Sequence, residues 1–251
     1  MVRIFFDEHA EQYCSNYFSK KQAGFAVQTR AAKALELLGT ISGRVLDLGC
    51  GPGVMSSMVE NKGCDVVGVD LSPGMLQLAR RHAPKTAFCI GEGRSLPFAS
   101  QTFDAGIAVG VLEFAEDERL VLRDMARMLR PGGVFVATFP NRRSPYALWR
   151  RKVYFRVLNL AHYLLGSILR SANYGVLLRR TYTESIVREW LRNAGLEPEI
   201  VEYANYQIVP SPLDGWIGSW AGPLATAIER FARPRFKRMA AEMVVRARRS
   251  S

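Results

Sequence analysis

At 251 residues and 48% hydrophobic composition, the chain can bury one sizeable α/β core and is short of what two full domains need. Its formal net charge of +11 is concentrated: residues 142–180 carry nine Lys or Arg and no Asp or Glu, and residues 230–249 carry eight against Glu242 alone. The rest is net acidic, so the basicity belongs to two peripheral segments and suits an anionic partner. The four cysteines (Cys14, Cys50, Cys64, Cys89) form no C-x-x-C pair and the three histidines are scattered, which argues against a zinc site or a disulfide framework.

In chain order, Met1 to Glu8 lacks the apolar core of a signal peptide. The longest uncharged lipophilic run, Val157 to Leu169, is 13 residues, too short to span a bilayer. A cytoplasmic protein is expected, with peripheral membrane contact left open. Phe5, Phe6, Tyr13, Tyr17 and Phe18 lie among polar residues, a pattern suited to an amphipathic helix. From Gly24 to Leu38, Ala31, Ala34, Leu35 and Leu38 recur at helical spacing and Gly39 closes the helix.

The stretch from Arg44 to Asp70 is the most informative. A strand-like run, Arg44 to Leu48, breaks into Gly49-Cys50-Gly51-Pro52-Gly53, and a second run, Asp65 to Val69, ends on Asp70. A buried strand turning at once into a helix brings main-chain N–H groups close to a ligand, and residues without a Cβ permit that approach. An acid about 20 residues on, at the end of the next strand, is placed to accept hydrogen bonds from ribose hydroxyls. The dinucleotide fingerprint wants Gly or Ala at its sixth position, and this chain has Val54. Asp47, inside the first strand, either holds the loop or meets a cationic amine of the ligand.

VLDLGCGPG followed by VVGVDLSPGML resembles the first two motifs of class I S-adenosylmethionine-dependent methyltransferases. The resemblance implies S-adenosyl-L-methionine as cofactor, cradled by Asp47, Gly49, Cys50, Gly51 and Gly53, with Asp70 on the ribose. It casts residues 1–23 as an N-terminal cap shielding the site. By analogy with quinone-biosynthesis methyltransferases, Arg30 on the preceding helix is placed to reach the methionine carboxylate.

Val54 to Asn61 reads as a helix after the loop. Ser72 and Pro73 suit the N-cap and first turn of the next. Leu71 and Met75 either flank adenine or pack the core. Ala87 to Ile90 is the predicted third strand. It runs into Gly91-Glu92-Gly93, where the family places an acid that accepts from the adenine amine; Glu92 occupies that position and Gly93 replaces the usual Ala. Phe103 to Gly110 reads as a buried parallel strand. The family's backbone contact to the methionine portion falls at its end, on Val109. Gly110-Val111-Leu112-Glu113 stands where nucleobase N-methyltransferases carry an Asn/Asp-Pro-Pro-Tyr type sequence, which disfavours nucleic acid as substrate.

Asp117 to Leu129 is a strongly patterned helix, closed by the family's L-R-P-G-G turn at residues 129–133, and Val134 to Phe139 is the predicted fifth strand. Trp149, Val153, Val157, Leu160, Leu164 and Ile168 give residues 142–180 the pattern of a helical lid, facing either the substrate pocket or a membrane surface. A helix from Thr181 to Gly195, a sixth strand from Glu199 to Tyr206 and a seventh from Met243 to Ala247 complete the pattern, with residues 210–239 as a second wall of the substrate pocket.

The expected fold is a doubly wound, seven-stranded Rossmann-like α/β sandwich, its last strand antiparallel, with an inserted helical lid, all within one domain of residues 1–251. The expected activity is in-line methyl transfer to the O, N or C of a small, lipophilic or anionic acceptor. If a base is used, His9, Glu113, Tyr13 and His162 are the candidates. An RNA methyltransferase using the basic segments, or a non-catalytic cofactor-binding subunit, are the alternatives.

Overall fold

The computed structural model describes residues 2–19, 22–149, 152, 180–206, 227, 231 and 234–250. Strands β1 (Arg44–Leu48), β2 (Asp65–Asp70), β3 (Ala87–Ile90), β4 (Phe103–Ala108), β5 (Leu129–Pro140), β6 (Leu196–Ala204) and β7 (Glu242–Arg249) form one sheet in the order β3-β2-β1-β4-β5-β7-β6. The first five strands run parallel. β7 is antiparallel to both β5 and β6. The C-terminal ends of β1 to β6 and the N-terminal end of β7 therefore share one edge of the sheet, where ligands bind in open α/β folds.

Alternation along the strands divides the core. Val45 and Val66 face a layer with Ala31, Ala34 and Leu38 of α3 (Gln22–Leu38) and Met55 and Val59 of α4 (Val54–Glu60). Leu46 and Val67 face the opposite layer, with Val121, Leu122 and Met125 of α6 (Glu118–Met128) and Val187 and Leu191 of α8 (Glu184–Asn193). Both sheet faces are covered, which is why these strands read as nearly continuous apolar runs. Arg119 and Arg123 of α6 lie outside, Glu118 is buried and accepts from the Tyr182 hydroxyl, and Asp117 caps the helix by accepting from the Arg119 N–H.

The bounds of β4, β5, β6 and β7 depart from the sequence reading. β5 begins at Leu129, not Val134, because Leu129 pairs with Phe103 and the ladder resumes at Ala105 with Val134; the 130–133 segment is an irregularity within the pairing, not a turn before it. β6 starts at Leu196 and ends at Ala204, because Leu196 pairs with Arg249 and β7 runs from Glu242 to Arg249. Its charged residues Arg246 and Arg248 both pair with Glu199. β4 stops at Ala108, and Leu112–Phe114 forms a single 3-10 turn beyond it.

The predicted lid lies outside the described residues apart from 142–149, 152 and 180, where α7 (Pro145–Trp149) begins it. Of the predicted second wall, only 227, 231 and 234–239 are described, including the four-residue α9 (Pro234–Lys237). No helix among the described residues is long and apolar enough to cross a membrane.

Candidate active site

A cavity of about 400 Å³ opens at the strand-end edge described above, within the range of small-molecule sites. Its floor is Leu48 at the end of β1 and Gly49 beyond it, Val69 and Asp70 of β2, and Val109 to Leu112 after β4. The loop geometry follows from Gly49. The Gly49 and Cys50 N–H groups both donate to the Val69 carbonyl, at 2.7 and 3.0 Å. Gly49 has φ 65°, and a Cβ there would lie 2.5 Å from Val111 Cγ2. Only glycine satisfies both conditions. Gly53 ends the loop, where a Cβ would collide with the Ala79 backbone at 2.8 Å, so it seats α4 against α5 (Pro73–His82) rather than forming cavity wall.

Asp70 is the best-defined polar group on the wall. Its Oδ2 accepts from the Gly51 N–H and its Oδ1 from the Ser72 N–H, each at 2.9 Å. Burial pushes its carboxyl pKa up, and these donors oppose the shift. A carboxylate has about four lone-pair positions, more than these two donors fill. The carboxylate is thus fixed in direction by the loop and still able to accept from a pair of hydroxyls. That arrangement, with a glycine floor that admits no Cβ, fits a nucleoside ribose.

Asp47 is placed differently. It is buried, absent from the cavity wall, and accepts from the Ser56 hydroxyl of α4 at 2.6 Å, so here it holds the loop. Burial is the main cause that raises its carboxyl to about pH 7. The sign follows: the unfolded chain loses this proton first, so the group's contribution to stability is fully present below about pH 4 and is lost as pH rises towards 7. Asp47→Asn is expected to flatten that slope. Between about pH 5 and about pH 8, the wild-type melting temperature should drop by roughly 5 °C more than the variant's, measured by differential scanning. Parallel curves would assign the pH dependence elsewhere.

At the far end of the wall, Leu71, Met75, Glu92 and Gly93 line the cavity, while Met75 is also buried in the core. Arg94 Nε lies 2.8 Å from Glu92 Oε1, and Arg94 Nη1 lies 2.6 Å from Glu116 Oε2. The Glu92 carboxylate is therefore oriented by a neighbouring cation on the same wall. These pairs are exposed and contribute little to stability.

The roof comes from the N-terminus. Val2, Arg3, Phe6, Tyr13 and Tyr17 of α1 (Val2–Glu8) and α2 (Ala10–Tyr17) line the cavity. Phe6 meets Phe114 edge-on with ring centroids 5.4 Å apart, joining roof to floor. A latch holds α1 down: Asp7 Oδ1 accepts from the Ser72 hydroxyl at 2.6 Å and from the Gly74 N–H at 3.0 Å. The Ser72 hydroxyl bond leads the causes that hold the Asp7 carboxyl below its usual range. Asp7→Ala is expected to cost about 1 kcal/mol, as lost helix caps do, localised to the roof. Hydrogen exchange across residues 2–17 should rise while β1 and β4 stay protected; uniform change across the chain would mean that the latch is not local.

The remaining candidates separate. Tyr13 is on the wall. His9 is not; its ring stacks on Phe5 and its Nδ1 lies 2.9 Å from the Phe5 carbonyl. Glu113 is buried in the 3-10 turn, off the wall. Cys50 is buried beside Asp47, also off the wall, with its thiol pKa pushed well up by burial. Arg30 is buried with Nη1 3.7 Å from Glu242 Oε1 and does not line the cavity. His162 lies outside the described residues. Sequence reasoning omitted Arg3, Arg94, Phe114 and Glu116 from the site. Arg94 lies two residues beyond Glu92 and could have been included, whereas the Phe6–Phe114 contact spans the chain and leaves no local signal.

Fold and cavity together define the class: a Rossmann-like α/β protein with a glycine-floored cavity at its strand-end edge. Residues 46–137 match the family model described as a methyltransferase domain. That region is similar to methyltransferases of known role. The chain is 38% identical over 108 residues to a demethylmenaquinone methyltransferase of Paenarthrobacter aurescens, covering 43% of this chain and 42% of that protein. It is 35% identical over 103 residues to a ubiquinone biosynthesis O-methyltransferase of Azorhizobium caulinodans, covering 39% and 41%. The matched region thus spans less than half the length of either relative. Among solved structures, magnesium protoporphyrin IX methyltransferase from Synechocystis, with bound S-adenosylhomocysteine, aligns with a TM-score of 0.63 at 16% identity over 99% of this chain and 98% of its own. A methyltransferase in complex with the Haloferax volcanii methyltransferase activator aligns with a TM-score of 0.68 at 21% identity, covering 100% and 98%. Both likenesses are of fold.

Proposed function

We propose that this protein transfers the methyl group of S-adenosylmethionine to a small, lipophilic or anionic acceptor held under the aromatic roof. The observation that carries this reading is Asp70, fixed by two backbone N–H groups on the wall of a cavity whose glycine floor admits no Cβ. Asp70 accepts from the ribose hydroxyls, Glu92 from the adenine amine, Leu71 and Met75 flank the adenine, and the backbone at Val109 and Gly110 borders the methionine portion.

The sulfonium supplies an already activated methyl group. The protein's part is then to align the acceptor and exclude water. Phe6, Tyr13, Tyr17 and Phe114 provide an apolar enclosure for that purpose. Tyr13 is the wall residue through which a hydroxyl acceptor would be oriented. The quinone-pathway relatives support a small-molecule acceptor, as does the absence of an Asn/Asp-Pro-Pro-Tyr type sequence at residues 110–113.

The test is incubation with S-adenosylmethionine labelled in its methyl group, with hydroxylated aromatic and fatty acyl acceptors in one arm and bulk RNA in the other. Label in an organic-extractable product supports the reading. Label in RNA, or no S-adenosylhomocysteine formed with any acceptor, would reject it.

A further inference from the structure

The edge that carries the cavity also carries a second feature. Asn141, just past β5, donates its side-chain N–H groups to the carbonyls of Arg238 at 2.9 Å and Ala240 at 2.8 Å. Its own N–H donates to Ala241 at 2.7 Å, and the Arg142 N–H to Tyr182 at 2.8 Å. These bonds clamp the segment leading into α7 against the turn that follows α9. The two segments form one surface at the C-terminal end of β5 and the N-terminal end of β7. Beside this clamp, Phe236 and Met239 are 45% and 43% exposed, with Arg142, Arg143, Lys237 and Arg238 also exposed; Leu148, in α7, is 38% exposed. Phe231, a few residues before α9, is 78% exposed. Residues 142–149 and 234–241 contain no Asp or Glu.

Large apolar side chains exposed among clustered cations are costly against water alone. The same combination suits an interface that receives apolar groups and presents negative charge. Anionic lipid provides both: its headgroups attract Lys and Arg, and its acyl boundary accepts Phe, Leu and Met. We propose that this surface docks on an anionic lipid bilayer, with the strand-end edge of the sheet turned towards it. The proposal stands on exposure and charge and does not depend on the methyltransferase reading.

The test is co-sedimentation of the full chain with phosphatidylcholine vesicles and with vesicles containing about a third phosphatidylglycerol. Sedimentation is expected only with the anionic vesicles, and to weaken as salt rises. The double variant Lys237→Ala/Arg238→Ala should weaken it about 25-fold, roughly fivefold per cation removed. The double variant Phe236→Ser/Met239→Ser should weaken it as well. Both variants should keep the wild-type melting temperature, because the four side chains are exposed. Equal binding to neutral vesicles, or anionic binding untouched by the cation pair, would overturn the proposal. So would no sedimentation at all; salt-sensitive binding of an RNA oligonucleotide that the same pair abolishes would then assign the surface to RNA.

Discussion

Asp70→Ala is expected to weaken S-adenosylhomocysteine binding by about 1–3 kcal/mol, roughly 5- to 150-fold in Kd. The loss has two sources. Ribose hydroxyls lose a charged acceptor, and the Gly51 and Ser72 N–H groups lose the carboxylate that aims them. Asp70→Asn separates the two, since its single carbonyl oxygen can still accept from one of these N–H groups while the carboxylate charge is gone. Its affinity should lie between wild type and Ala. Isothermal calorimetry reads both, and an affinity unaltered in Asp70→Ala would reject the ribose assignment.

The largest expected effect on stability lies at Arg30. Both it and Glu242 are buried, with side chains 6% and 3% exposed. Losing one partner of a buried ion pair removes a charge that offsets the burial of the other, so Arg30→Ala should destabilise the protein by about 3–5 kcal/mol. That is a large share of the ~5–15 kcal/mol that holds a typical domain together. Arg30→Met with Glu242→Gln removes both charges at similar volume and should recover most of the loss. Chemical denaturation distinguishes the outcomes: equal losses in the single and double variants would mean that the pair is not what Arg30 supplies.

The same double variant addresses the methionine carboxylate. The Arg30 guanidinium packs against Gly110, where an added Cβ would lie 2.7 Å from Nη2, and Gly110 is cavity wall. If Arg30 acts only through Glu242, cofactor affinity should survive in the folded double variant. A loss of tenfold or more would restore the carboxylate role.

The parallel half of the sheet was readable because its strands are continuous apolar runs between turn signals. Arg44 to Asp70 needs no distant partner to be recognised. The bounds of β5, β6 and β7 were less legible because long-range pairing sets them: Leu129 with Phe103, and Leu196 with Arg249. The charged side chains of β7 gave a weak strand pattern, and ion pairs with Glu199 account for two of them. At the site, positions fixed by backbone chemistry, such as Gly49 and Asp70, could be named in advance. A residue whose role depends on what lies across the fold could not: Arg30 faces Glu242.

The measurement that bears most directly on the central claim is calorimetric titration of the protein with S-adenosylmethionine, S-adenosylhomocysteine and NADH side by side. The cavity described here predicts submillimolar binding of the first two and none of NADH. Binding of NADH alone would contradict it, and the cradle of Gly49 and Asp70 would then belong to hydride chemistry.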